Sequence, residues 1–109
     1  SRFGLFPQRS LEQECRTLQR ALATDASHQV ARFNLARAYV GSNRFERARD
    51  VYIELVKLNA SNWDALFELG KTHARLGENA AARQRLEDLI KRNPDYPSRA
   101  EAERILSGL

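Results

Sequence analysis

The chain states one pattern twice. "ARFNLARAYV", from Ala31 to Val40, is followed by "ALFELGKTHA", from Ala65 to Ala74. Overlaid at an offset of 34 residues, Ala31 falls on Ala65, Phe33 on Phe67 and Leu35 on Leu69, with Ala36 on Gly70 and Arg37 on Lys71. The echo continues: Ala48 and Arg49 return as Ala82 and Arg83, Leu55 as Leu89, Lys57 as Lys91, and Asn59 as Asn93. These are eight identities where ordinary composition gives roughly two. A fixed period between 20 and 50 residues marks an architecture of stacked repeats, each too small to bury its own apolar face. This feature limits the possible folds more than any other in the chain.

Each repeat reads as two helices. Ala31, Leu35, Ala38 and Tyr39 recur on one helical face. Gly41-Ser42-Asn43 then breaks the pattern. A second helix is predicted from about Arg44, with Phe45, Ala48, Tyr52, Leu55 and Val56 on its apolar side and a stop near Asn59. Ser61 or Asn62 can cap the next helix. Leu66, Leu69, Gly70 and His73 mark that helix, Gly77-Glu78-Asn79 the turn, and Ala82, Leu86, Leu89 and Ile90 the following helix. Asn93-Pro94 ends it, because proline cannot continue the hydrogen-bond ladder.

The period also runs backwards. Leu11 underlies Phe45, Leu18 underlies Tyr52, Ala21 and Leu22 underlie Leu55 and Val56, and Asp25-Ala26 underlies Asn59-Ala60. Residues 10–24 therefore read as the second helix of a partial repeat. Ser98 to about Leu106 reads as a closing helix, with Ala102, Ile105, Leu106 and Leu109 apolar and a capping box from Ser98 to Glu101. Glu103 falls where the period predicts an apolar residue, so this helix is not a further repeat. The segments are thus a tail or linker (1–9), a partial repeat (10–27), two repeats (28–62 and 63–96) and a cap (97–109).

These residues resemble the tetratricopeptide repeat family, which has a large residue, Leu, a small residue and Tyr on its first helix, then Ala, an aromatic and a late Pro. Leu35-Ala36-x-x-Tyr39 and Ala48-x-x-x-Tyr52 carry the match in the first repeat. Leu66-x-x-Leu69-Gly70-x-x-His73, Ala82-x-x-x-Leu86 and Pro94 carry it in the second. The departures are Arg32 for the first large residue, His73 for Tyr, Leu86 for the aromatic and Ala60 for Pro. The resemblance implies an all-α, right-handed helix-turn-helix solenoid of about six helices: a half repeat, two full repeats and a closing helix. In this reading the small residues Ala36 and Gly70 sit where the two helices of a repeat cross, and Ala48 and Ala82 do the same from the second helix.

The resemblance further implies that first helices line a concave side. The residues turned from the core stripe are Val30, Phe33, Asn34, Arg37, Val40 and Gly41, then Asp64, Phe67, Glu68, Lys71, Ala74 and Arg75. A Phe with a cation one turn later occurs in each repeat. One reading is a peptide groove with two apolar footholds and cations able to pair an acidic side chain or C-terminal carboxylate. Asn34 adds an amide of the kind that related proteins use on a peptide backbone. The other reading is that Phe33 and Phe67 pack on neighbouring helices and the cations form a solvated face. The carboxylate-clamp pattern of chaperone-tail receptors is absent, because Phe33, Arg37 and Glu68 stand where that subtype has Lys, Asn and Asn.

Composition narrows the alternatives. With 109 residues, 29% charged and 42% apolar, the chain suits one soluble domain. No apolar run approaches the ~18 residues of a membrane span, and a cytoplasmic setting is favoured over a periplasmic one. A start at Ser1 and a lack of Met suggest a piece of a longer protein. The formal charge of +4 permits an acidic partner. Nucleic-acid binding through Arg32, Arg37, Lys71 and Arg75 is opposed by the interleaved Asp64 and Glu68. Cys15 shares a face with Leu11, Leu18 and Leu22 and reads as a small core residue. His28 and His73 are 45 residues apart without ligand-spaced companions, so no metal or other cofactor is expected. No phosphate loop or catalytic arrangement appears, and the expectation is not an enzyme. Trp63 reads as packing at a repeat junction. The tail "SRFGLFPQR" reads either as a linker or, through Phe3, Leu5 and Phe6, as a segment laid along a groove. The expected function is a protein-interaction module; the alternative is self-assembly through exposed solenoid ends or the tail.

Overall fold

Helices form wherever the apolar period is 3.6, and among the described residues no other regular element occurs. The computed structural model describes residues 11–16 and 28–109. Residues 11–16 are helical (α1). Then come α2 (Gln29–Gly41), α3 (Phe45–Leu58), α4 (Trp63–Arg75), α5 (Asn79–Arg92) and α6 (Arg99–Ser107). The tail and Leu18, Ala21, Leu22, Asp25 and Ala26, singled out in the sequence, lie outside the described residues. No described helix is long and apolar enough to cross a membrane. The chain divides into two compact units, residues 1–51 and 52–109.

The turns repeat as the sequence does. The Arg44 N–H donates to the Tyr39 carbonyl at 2.8 Å, and 34 residues later the Glu78 N–H donates to the His73 carbonyl at 2.9 Å. Each turn has one left-handed residue, Asn43 (φ 61°) and Gly77 (φ 76°), again 34 apart. Asn and Gly are the residues that adopt this conformation at low cost. Gly41, which the sequence suggested as a breaker, is instead the last residue of α2. Of the two candidate caps for α4, Asn62 does the work: its Oδ1 accepts the Ala65 N–H at 3.2 Å.

In the first unit, Leu35, Ala36, Ala38 and Tyr39 bury one side of α2, and Ala48 and Cys15 are buried with them. Glu12 of α1 accepts from Arg44 Nη2 at 2.7 Å. Cys15 is 6% exposed. Burial pushes its thiol pKa up, against the pull of Arg44.

The second unit has a core of Leu66, Phe67, Leu86, Leu89 and Ala102, with Val56, Trp63, Ile90, Tyr96, Ile105 and Leu106 packed on it. Each fully buried Leu contributes about 1.5–3 kcal/mol. Gly70 faces Leu86 of α5 at close range. A Cβ there would lie 2.5 Å from Leu86 Cδ2 and 2.6 Å from its Cγ, so Leu86 occupies the space that any side chain would need. Arg92 closes the other end, stacked 4.9 Å over the Trp63 ring and donating to the Ala60 carbonyl at 2.7 Å.

One cap differs from expectation. Ser98 makes no side-chain cap bond, and its φ of −96° and ψ of 23° lie near the helical region. A capping hydroxyl needs a more extended backbone to reach the next free N–H. Glu101 does not return to the cap, because its carboxylate lies 3.7 Å from Lys71 Nζ.

Candidate partner-binding faces on α2 and α4

Once Leu35, Ala36, Ala38 and Tyr39 point into the core, helical geometry turns Val30, Phe33, Asn34, Arg37 and Val40 outward. Val30 is 75% exposed. Asn34 and Arg37 are exposed, and Phe33 and Val40 are half-buried. Asn34, Arg37 and Ala38 join Leu11 and Glu14 of α1 to line a pocket of about 320 Å³. Among the described residues, Arg37 has no carboxylate within ion-pair distance. Glu14 stands 34 residues before Ala48, a fully buried position, yet it is itself exposed. An alanine there lets helices approach, whereas Glu14 brings charge into the pocket. The pocket thus offers a cation, an anion, an amide and the apolar Leu11 side chain.

The corresponding face of α4 is built differently. Of the two readings for Phe67, an open foothold or packing, the structure agrees with packing: it is 4% exposed and belongs to the core of its unit. The cause is the segment after α5. Tyr96 lays its ring on Phe67, with centroids 5.6 Å apart and planes tilted by 54°. The Tyr96 hydroxyl donates to Asp64 Oδ1 at 2.6 Å. Burial, followed by this bond and the Asp64 charge, raises the Tyr96 pKa well above its ordinary value of 10.0. Lys71 Nζ lies 5.0 Å from the Phe67 ring centroid, 3.6 Å from Glu68 and 3.7 Å from Glu101. Three of the outward positions on α4 therefore meet residues 96–101 of the same chain. Arg75 is exposed at the end of the helix. Sequence periodicity missed Tyr96 because it lies in an irregular turn; the available signal was an aromatic framed by Pro94 and Pro97.

His73 fills the position of the family's tyrosine. It is 5% exposed, and its Nδ1 lies 2.8 Å from Glu78 Oε1. That contact joins the two ends of the α4–α5 turn, which the two backbone groups also bridge.

A family model described as Tetratricopeptide repeat matches residues 33–97 and 67–107. Among curated proteins none matches this chain. Thirty-one chains of solved structures do match. One is the NMR structure of the second TPR domain of the human RPAP3 protein in complex with the HSP70 peptide SGPTIEEVD. It aligns over 96% of this chain and 85% of its own, with a TM-score of 0.79 and 24% identity, a likeness of fold.

Proposed function

Since the chain belongs to the tetratricopeptide repeat family, a family of non-enzymatic protein-interaction scaffolds, we propose that it binds an acidic peptide segment of a partner on the outward face of α2. The observation that carries this reading is the pocket lined by Asn34 and Arg37, in which the guanidinium has no carboxylate partner among the described residues. An unpaired Arg at a concavity suits a side-chain or C-terminal carboxylate, which it can hold with two parallel hydrogen bonds. The Asn34 amide can donate to, and accept from, a peptide backbone. Phe33 and Val40 border the polar pair with apolar surface. Asp64, Glu68, Lys71 and Arg75 belong to the face of α4 in the second unit and are not counted in this site; Phe67 lies in that unit's core. The human structural neighbour carries a peptide with an acidic end, which supports the ligand class. It does not specify the peptide, since Phe33, Arg37 and Glu68 differ from the carboxylate-clamp pattern.

The test is fluorescence polarisation with labelled acidic-ended peptides, SGPTIEEVD among them, beside C-terminally amidated versions. Arg37→Glu is expected to weaken the best peptide by about tenfold or more. Lys71→Ala, in the second unit, should leave that affinity essentially unchanged. Equal affinity for the parent chain and Arg37→Glu would remove the site from α2.

A second reading, self-association, draws on two exposed apolar side chains, Val30 at 75% and Leu58 at 52%. Sedimentation velocity over a wide concentration range separates the two. A constant monomer sedimentation coefficient would remove this second reading.

A further inference from the structure

A second pocket in the first unit, of about 270 Å³, is lined by Glu12, Cys15, Arg16, Tyr39, Arg44 and Arg47. Among the described residues it shares none with the pocket that holds Arg37. Its base is apolar: Tyr39 and Cys15 are both buried. Among the described residues its rim is strongly basic, with three guanidinium groups against one carboxylate. Glu12 is committed to Arg44 at 2.7 Å. Arg16 and Arg47 are exposed, and neither has a carboxylate within ion-pair distance among the described residues. Arg47 lies over the Tyr39 ring, 5.9 Å from its centroid. Arg44 is fixed from two sides, by Glu12 and by its own N–H on the Tyr39 carbonyl. Two of the three cations are therefore held in place before any ligand arrives.

The geometry points to a phosphomonoester site: a phosphate between Arg16, Arg44 and Arg47, with its apolar stem on Tyr39 and Cys15. Three cations and one anion leave an excess of two positive charges. A phosphate monoester carries about −1.5 to −2 at neutral pH, whereas a single carboxylate would leave one cation uncompensated. The guanidinium fork matches phosphate oxygens two at a time. The apolar floor would leave a bare inorganic ion with unfilled volume, so a stem of aromatic size is the better fit. The ligand is either a phosphorylated side chain of a partner or a small organic phosphate. This site stands independently of the peptide site on α2.

The experiment is an NMR titration of the isotope-labelled chain with phenyl phosphate, inorganic phosphate, a phosphotyrosine peptide and its unphosphorylated form. The expected result is saturable shifts at Cys15, Tyr39, Arg44 and Arg47 with phenyl phosphate and the phosphopeptide, and weaker shifts with inorganic phosphate. The Arg16→Gln, Arg47→Gln double variant should lose about tenfold or more in affinity. Both side chains are exposed, so the variant keeps its fold, which circular dichroism checks. Arg83→Gln, at an exposed position of α5, should bind like the parent. Tighter binding of the phosphopeptide than of phenyl phosphate would assign the site to a partner protein, and equal binding would assign it to a small phosphate; both support the proposal. Absence of shifts at millimolar phenyl phosphate would overturn it, as would unchanged affinity in the double variant or equal binding of the unphosphorylated peptide.

Discussion

Helices α2 and α4 carry the same outward pattern, yet their cations meet different surroundings. On α2, Arg37 lines a pocket and has no carboxylate partner among the described residues. On α4, the equivalent Lys71 reaches two carboxylates and the Phe67 ring. Phe33 is half-buried where Phe67 is 4% exposed. The sequence of the two helices does not account for this contrast, since Phe and a cation stand at the same repeat positions in both. The cause lies in residues 96–101, which bring an aromatic ring, a hydroxyl and a carboxylate to Phe67, Asp64 and Lys71. A repeat position is thus left accessible or built over according to what else the same chain lays on it.

The contrast can be tested by substitution, beginning with the helix crossing. Gly70→Leu should destabilise the second unit by about 3 kcal/mol in chemical denaturation, because Leu86 already occupies the space. Ala36 occupies the same repeat position in the first unit as a fully buried alanine. Ala36→Gly should cost about 1 kcal/mol, chiefly through helix propensity. A mild Gly70→Leu would show that the crossing on α4 is looser than its geometry indicates.

Removing the cover comes next. Tyr96→Ala should cost about 2 kcal/mol, less than deletion of a fully buried aromatic, and should expose Phe67. Dye binding or peptide binding gained on α4 would show that this helix retains the interaction chemistry of α2. Loss of stability without such a gain would show that Phe67 serves packing alone.

Tyr96→Phe keeps the ring and removes only the bond to Asp64, at about 1 kcal/mol. Its pH dependence has a definite sign. The folded-state pKa of Tyr96 is raised, so its contribution is fully present below the ordinary value of 10.0 and is lost as pH rises through the folded value. Denaturation at pH 7 and at alkaline pH should show parent and variant converging as the pH climbs. A gap that widens on the alkaline side would contradict this account.

The smallest effect is expected at the two cations. Lys71→Ala should cost about 0.5 kcal/mol, since its ion pairs are partly exposed. Arg37→Ala should leave stability unchanged within about 0.5 kcal/mol.

The helices, their order and their repeat spacing were legible in the sequence, because apolar periodicity and the 34-residue echo both report burial. Gly70 and Ala36 were legible for the same reason: only small residues fit a crossing. Asn43 was less visible, because its left-handed role emerges from overlay on Gly77 and not from the Gly41-Ser42-Asn43 cluster. The choice between the two readings of Phe67 could not be made from α4, since its burial depends on Tyr96, in a turn that follows no period. Ser98 and Glu101 matched a capping box by spacing, but a tertiary ion pair to Lys71 competes for that carboxylate. The pocket around Arg16, Arg44 and Arg47 had no sequence mark, because Arg16 comes from α1 while Arg44 and Arg47 stand at the start of α3, and together they form no basic run.

We propose a peptide site on α2, whereas the same face of α4 is covered by its own chain. The most direct test of this contrast is an NMR titration of the parent chain with an acidic-ended peptide, followed at the backbone amides and side chains of Asn34, Arg37, Phe67 and Lys71. The account predicts saturable shifts at Asn34 and Arg37, with Phe67 and Lys71 essentially unmoved. Shifts centred on Phe67 and Lys71, with Asn34 and Arg37 unmoved, would contradict it.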